Sequence, residues 1–364
     1  MFIIDAHEDI AYNALNFGRD YHLSAAEIRR REQETAIPNW NGQTLLGFPE
    51  YQTARVALIF GTVFVTHKRH ASGDYEKLVY TDFAQARRLY HQQIDYYYEL
   101  VDRSPDCFRL VRNRAELAQT LRPWQDKPEN QDGQVRPIGI VMLMEGAEGI
   151  ERPEELEEYW QAGLRIVGPV WAGGRLCGGT IEPGGFTREG RALLATMAGL
   201  GYSLDISHMN VESSLQALDY YEGPIIASHA NPAALVKDFP SERHLTDAAI
   251  ARLVERGGVM GIVPYNRFIR PDWDNQDGRH LVRLEHVVAL IDHVCQLAGD
   301  ARHVGLGTDF DGGFGWPAVP QEINTIADLP KLAPLLAGLG YSETDVASIL
   351  GGNWQRHLET SLPA

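Results

Sequence analysis

The sequence predicts an α/β chain folded as a (β/α)8 barrel of the TIM type, and three observations predict it. Eight short apolar runs alternate with helix-like runs from one end of the 364 residues to the other. Those runs are apolar on both faces, as strands covered on both sides are, rather than cleanly alternating. Five of them stop on a histidine or a carboxylate, and a barrel gathers its chemistry at the C-terminal ends of its strands.

In chain order the strand candidates are Phe2–Ala6, Ala54–Val65, Pro137–Met144, Leu164–Val170, Ser203–Ile206, Pro224–Ala227, Gly258–Val263 and His303–Gly307. Helical patterns fill the intervals over Thr81–Asp102, Arg152–Ala162, Thr187–Leu200, Val211–Tyr220, Thr246–Glu255 and Leu284–Leu297. Thr187 and Thr246 each precede an Ala/Leu-rich run and read as helix N-caps. The alternative, an open doubly wound sheet, is weakened because no Gly-x-Gly-x-x-Gly follows the first strand. The expectation is one domain over residues 1–364. An irregular insertion interrupts it at about 13–51, a Gly-rich stretch follows at Trp171–Phe186, and two closing helices start near Asp328 with Gly340 between them.

The formal charge of −16 argues against nucleic acid and anionic membrane as partners, since both demand a basic face. No run approaches the roughly 20 apolar residues of a membrane span. The N-terminus enters a strand at once, so no secretory signal is expected. Three widely spaced cysteines, Cys107, Cys177 and Cys295, make neither an even disulfide framework nor a zinc knuckle. A reducing cytoplasm suits that usage.

The first strand ends in His7-Glu8-Asp9. Alternation along extended backbone puts His7 and Asp9 on one side, where they share a spot beyond the strand end. The third strand ends at Glu145, the fifth at Asp205-Ile206-Ser207-His208, the sixth at Ser228-His229 and the eighth at Thr308-Asp309-Phe310-Asp311. Any one of these is more often structural than functional. Together they would crowd several titratable groups on one rim, and like-charged carboxylates without a cation conflict by several kcal/mol. The count suits two divalent ions: His7 and Asp9 on one, His208 and His229 on the other, Glu145 bridging. Imidazole and carboxylate ligands without a thiolate favour zinc, with manganese or cobalt compatible. Two such ions hold a hydroxide between them and polarise a carbonyl, and Asp309 is placed to take and return the proton.

These residues resemble the membrane, or renal-type, dipeptidases, dizinc peptidases on a (β/α)8 barrel. The matching motifs are Ile4-Asp5-Ala6-His7-Glu8-Asp9, Glu145-Gly146, Asp205-Ile206-Ser207-His208, Ser228-His229, Arg243-His244-Leu245-Thr246-Asp247 and Gly307-Thr308-Asp309-Phe310-Asp311-Gly312. Gly185-Phe186-Thr187 followed by Gly190 resembles the family's helix start. The resemblance spans nearly the whole chain in the family's order. It implies hydrolysis of free dipeptides, the same two-ion assignment, and Asp309 as the acid/base residue. It further implies that Arg243 binds the carboxylate of the substrate's C-terminal residue. Likeness to these relatives also allows a homodimer.

One departure stands out. Where the family carries a Leu-Thr-His segment after strand four, the aligned stretch is Val167-Gly168-Pro169-Val170-Trp171. An indole donates one hydrogen bond but carries neither a proton nor a full charge, and lost oxyanion support costs ~3 kcal/mol unless replaced. Tyr265 and Phe268, after strand seven, either line the pocket or pack behind it. Two other classes stay open at this point. One is a different metallohydrolase on the same barrel, such as a lactonase, deaminase or phosphotriesterase. The other is a metal-binding homologue that has lost peptidase activity.

Overall fold

The computed structural model describes residues 1–125 and 135–364. Eight parallel strands form the central ring: β1 (Ile3–Glu8), β2 (Val56–Phe64), β3 (Ile138–Glu145), β4 (Leu164–Gly168), β5 (Ser203–Asp205), β6 (Ile225–Ile226), β7 (Met260–Ile262) and β8 (Val304–Leu306). They run in the order β7-β8-β1-β2-β3-β4-β5-β6. A parallel bridge between Ala227 and Met260 joins β6 to β7. There Gly261 N–H donates to Ala227 O at 2.8 Å, so the sheet closes on itself. All eight predicted strands are present; each starts at the predicted residue or one or more residues later, and β1 and β3 run on past their predicted ends to Glu8 and Glu145. A further short strand, Phe108–Leu110, pairs with β3 and had no counterpart among the predicted elements.

Strands β1, β2 and β3 are buried almost throughout, which explains their unbroken Val/Ile/Leu runs. The predicted N-caps form: Thr187 accepts from Gly190 N–H at 3.1 Å and Thr246 from Ala249 N–H at 3.3 Å. Each satisfies a backbone donor that the helix itself leaves open. The ring is tightest beneath β6. A Cβ on Gly307 would come 1.8 Å from Ser228 O, and one on Gly261 would come 1.9 Å from the same oxygen. Only a hydrogen fits on either side of that carbonyl, one residue before His229. Gly307→Ala is therefore expected to destabilise the fold by about 1–3 kcal/mol. Urea unfolding measures this, and an unchanged midpoint would show that the Ser228 carbonyl yields freely.

The stretch at about 13–51 is not irregular, which corrects the reading from sequence. It carries four short helices: Ile10–Phe17, Ala25–Glu32, Ile37–Asn41 and Phe48–Ala54. They are too short to show a periodic stripe, and long-range contacts hold them. Buried Asp311, beyond β8, accepts from Tyr21 OH at 3.0 Å and Leu45 N–H at 2.8 Å, and pairs with Arg19 Nη1 at 3.0 Å. Arg19 in turn pairs with Glu32 at 2.8 Å. The segment is thereby fastened across the mouth of the barrel. The closing segment also differs: a 3-10 turn at Ile326–Lys331 precedes three helices, Leu332–Gly338, Glu343–Ala347 and Asn353–Ser361. Gly340 turns the chain with φ +97° between the first two of them.

Candidate metal centre

The strand ends bring His7, Asp9, Glu145, His208, His229 and Asp309 into one cluster, of which Asp9, Glu145, His208 and Asp309 line the floor of a cavity. Three sets of donor atoms each lie within 4.8 Å of one another: His7, Asp9 and Glu145; Glu145, His208 and His229; and His7, His229 and Asp309. Glu145 belongs to the first two, with Oε2 at 3.6 Å from His7 Nε2 and Oε1 at 2.8 Å from His208 Nε2. His229 Nε2 stands 3.5 Å from Glu145 Oε1 and 2.9 Å from His208 Nε2. Among the described residues, none of the three cysteines belongs to such a cluster.

Hydrogen bonds behind the imidazoles decide which nitrogen faces the cavity. Ser228 Oγ donates to Asp205 Oδ2, leaving its lone pairs to accept from His229 Nδ1 at 2.8 Å and His7 Nδ1 at 3.3 Å. Asp205 is itself held by the backbone N–H groups of Ser207 and Ser228, both at 2.9 Å. Thr180 Oγ1 donates to His208 O and so accepts from His208 Nδ1 at 2.9 Å. All three rings then keep a proton on Nδ1 and turn Nε2 inward, as metal-ligating histidines do. Thr62 Oγ1 donates to Asp9 Oδ1, fixing that carboxylate in the same way.

The electrostatics agree with a cation site. Burial works against a charge on His7, yet Glu145, Asp9 and Asp309 outweigh it and push the imidazole up to about 10. Burial raises Asp9 to about 6, and it holds Asp309 well above the usual carboxylate range. Burial also opposes ionisation of Glu145, but His7 and His208 prevail and hold it well below its ordinary value. His208 drops to about 4 through burial and the nearby Arg243. The buried His7 Nε2 has no hydrogen-bond partner. Three carboxylates and three inward imidazole nitrogens draw positive charge to one place; a divalent ion at His7 would replace the proton its nitrogen otherwise holds, and divalent ions fit that set.

Backbone geometry serves the same end. His208 and Asp309 adopt left-handed conformations with φ of +66° and +56°, where only a minority of non-glycine residues sit. Each turn aims the side chain back over the strand ends. The floor opens into a cavity of about 510 Å³ lined by Arg243, Trp171, Thr180, Phe64 and Phe268 among others. Arg243 is 1% exposed; its Nη2 donates to His229 O at 2.8 Å, while Nε and Nη1 have no partner. Trp171 forms part of the wall, its ring 6.1 Å from that of His208.

Tyr265 does not line this cavity. It stacks on Phe314 at 4.1 Å behind Phe268, and Phe268 alone of the pair reaches the wall. The apolar Phe314 surface captures the phenol ring, a long-range contact with no local signature. Thr62, Thr180 and Ser228 escaped sequence reasoning as ligand-orienting residues. Only Ser228, directly before His229, lay inside a quoted motif.

A closed parallel barrel that turns such a donor set inward at its strand ends defines a metal-dependent hydrolase. The chain belongs to the membrane dipeptidase family, peptidase family M19, whose sequence profile matches residues 1–361. It is 29% identical over 278 residues to a Klebsiella pneumoniae protein from the region 5′ of pqqA, covering 74% of this chain and 94% of that protein. It is 32% identical over 231 residues to an uncharacterized dipeptidase of Schizosaccharomyces pombe, covering 61% of this chain but only 53% of that one. The fold superposes with a TM-score of 0.78 on a Rhodobacter sphaeroides metallo peptidase liganded with a phosphinate mimic of the dipeptide L-Ala-D-Ala. That match has 25% identity and covers 99% of both chains.

Proposed function

We propose that this chain hydrolyses the peptide bond of free dipeptides, with two divalent ions, zinc by preference, held by His7, Asp9, Glu145, His208 and His229. The observation that carries the reading is the partnerless face of Arg243 in the cavity that holds the donor cluster. A buried guanidinium with two idle donors is costly, and a carboxylate satisfies it bidentately. The substrate's C-terminal carboxylate seats there, and its peptide carbonyl then lies over the cluster. The Rhodobacter relative, whose ligand mimics a dipeptide, supports this class of substrate.

When bound, the ions polarise the scissile carbonyl and bring the pKa of the attacking water down toward about 7. Asp309 takes that water's proton and delivers it to the leaving nitrogen. The short tether to His7, whose carbonyl accepts from Asp309 N–H at 3.2 Å, holds the carboxylate over the cluster. Trp171 closes the cavity beside His208 and excludes water, and its indole N–H supplies one neutral donor at most. Three unpaired cysteines suit a reducing compartment, and the cytoplasm is the location we propose.

The test compares dipeptides with their C-terminal amides on zinc-loaded protein. Free acids should be cleaved and amides spared. Arg243→Ala should raise KM for the free acid by about 10²-fold, as expected for losing one partner of a buried charge pair. Equal turnover of acid and amide would sink the reading.

A further inference from the structure

This inference rests on the dipeptidase reading and concerns the class of dipeptide. Arg243 follows β6 and Glu76 follows β2, so the two stand on opposite sides of the ring. With the substrate's carboxylate at Arg243 and its peptide bond over the donor cluster, its N-terminal residue extends toward the β2 side. The cavity wall there has its own chemistry. Trp40 stacks on Tyr75 at 4.6 Å with 9° between planes, and Phe17 lies 6.2 Å from Tyr75. Trp40 stays 43% exposed, a large aromatic surface left open at the mouth.

Glu76 lines the same wall. Its Oε1 accepts from Ser72 N–H at 3.0 Å, while its Oε2 is buried with no hydrogen-bond partner. Among the described residues no cation pairs with it. A buried carboxylate oxygen without a donor is as unsatisfied as the idle face of Arg243, and with the opposite sign. Electron-rich aromatic faces beside it attract positive charge and cover apolar stems.

We propose that Phe17, Trp40, Tyr75 and Glu76 form the subsite for the substrate's N-terminal side chain, and that they select a basic one, lysyl or arginyl. The alkyl stem of such a side chain lies along the Trp40–Tyr75 stack, and its ammonium or guanidinium head donates to Glu76. An acidic side chain meets repulsion at the same point. A small apolar one leaves both the carboxylate and the stack uncovered. The cavity thus discriminates at its two ends by charge, a carboxylate held at Arg243 and a cation at Glu76.

The experiment measures kcat/KM of zinc-loaded protein on L-Lys-L-Ala, L-Arg-L-Ala, L-Leu-L-Ala and L-Glu-L-Ala. The lysyl and arginyl substrates should exceed the leucyl one by about tenfold or more, consistent with a charge-assisted bond plus a cation–π contact. The glutamyl substrate should be the poorest. In Glu76→Gln the lysyl-to-leucyl ratio should fall toward unity, and in Glu76→Lys the order of lysyl and glutamyl substrates should invert. Equal rates for lysyl and leucyl substrates in the unaltered protein overturn the inference but leave the peptidase reading standing. So does a Glu76→Gln variant that slows every substrate in proportion, because Glu76 would then serve the common α-amine or the fold. Failure to cleave any of the four overturns the peptidase reading, and this inference with it.

Discussion

Asp309→Asn is expected to lower kcat by about 10³-fold, within the range for removing a general acid/base. The substitution keeps the shape of the side chain and removes its ability to carry a proton. Metal content and KM should change little, because the first two donor sets, His7–Asp9–Glu145 and Glu145–His208–His229, are complete without Asp309. The position has a second potential role, since Asp309 also stands within 4.8 Å of His7 and His229 donor atoms. Metal analysis beside the kinetics separates the two. Full metal with lost turnover identifies a proton carrier, whereas loss of an ion identifies a ligand. Turnover within about tenfold of the parent protein excludes the catalytic role altogether.

Glu145→Gln should have the largest effect on the centre itself. Glu145 is the one residue common to the His7–Asp9–Glu145 and Glu145–His208–His229 sets, and its two oxygens face different imidazoles, His7 and His208. An amide presents one neutral oxygen in place of two that share a negative charge, so it cannot serve both positions. Metal analysis should fall from two ions per chain to one or fewer, and turnover should drop by about 10³-fold or more. The rise in Tm on adding zinc should shrink in parallel, because an ion that binds the folded state stabilises it in proportion to its occupancy. A variant that keeps both ions and its thermal shift would remove Glu145 from the bridging position.

The strands and the donor list were legible without coordinates. Runs such as Val56–Phe64 and Ile138–Glu145 are apolar on both faces because helices or the barrel interior cover each side, and that leaves a plain mark on composition. His7, Glu145, His208 and His229 each end such a run, so topology alone sends them to one rim. The helices of residues 10–54 were not legible. None exceeds eight residues, and what holds them is Asp311, some 270 residues away in the chain. Sequence could not decide between the two places open to Tyr265 for the same reason, since its partner Phe314 lies elsewhere in the chain and apolar contact leaves no motif.

The order of residues along this polymer decides the class of fold, the kinds of ligand and their distribution over the strands, because those depend on local periodicity and on which residue closes each run. Tertiary structure alone decides which imidazole nitrogen faces inward, through Ser228 and Thr180. It alone leaves Arg243 and Glu76 with idle polar atoms on facing walls. Hydrogen-bond satisfaction is a property of atoms brought together across the whole chain, and no stretch of sequence contains it.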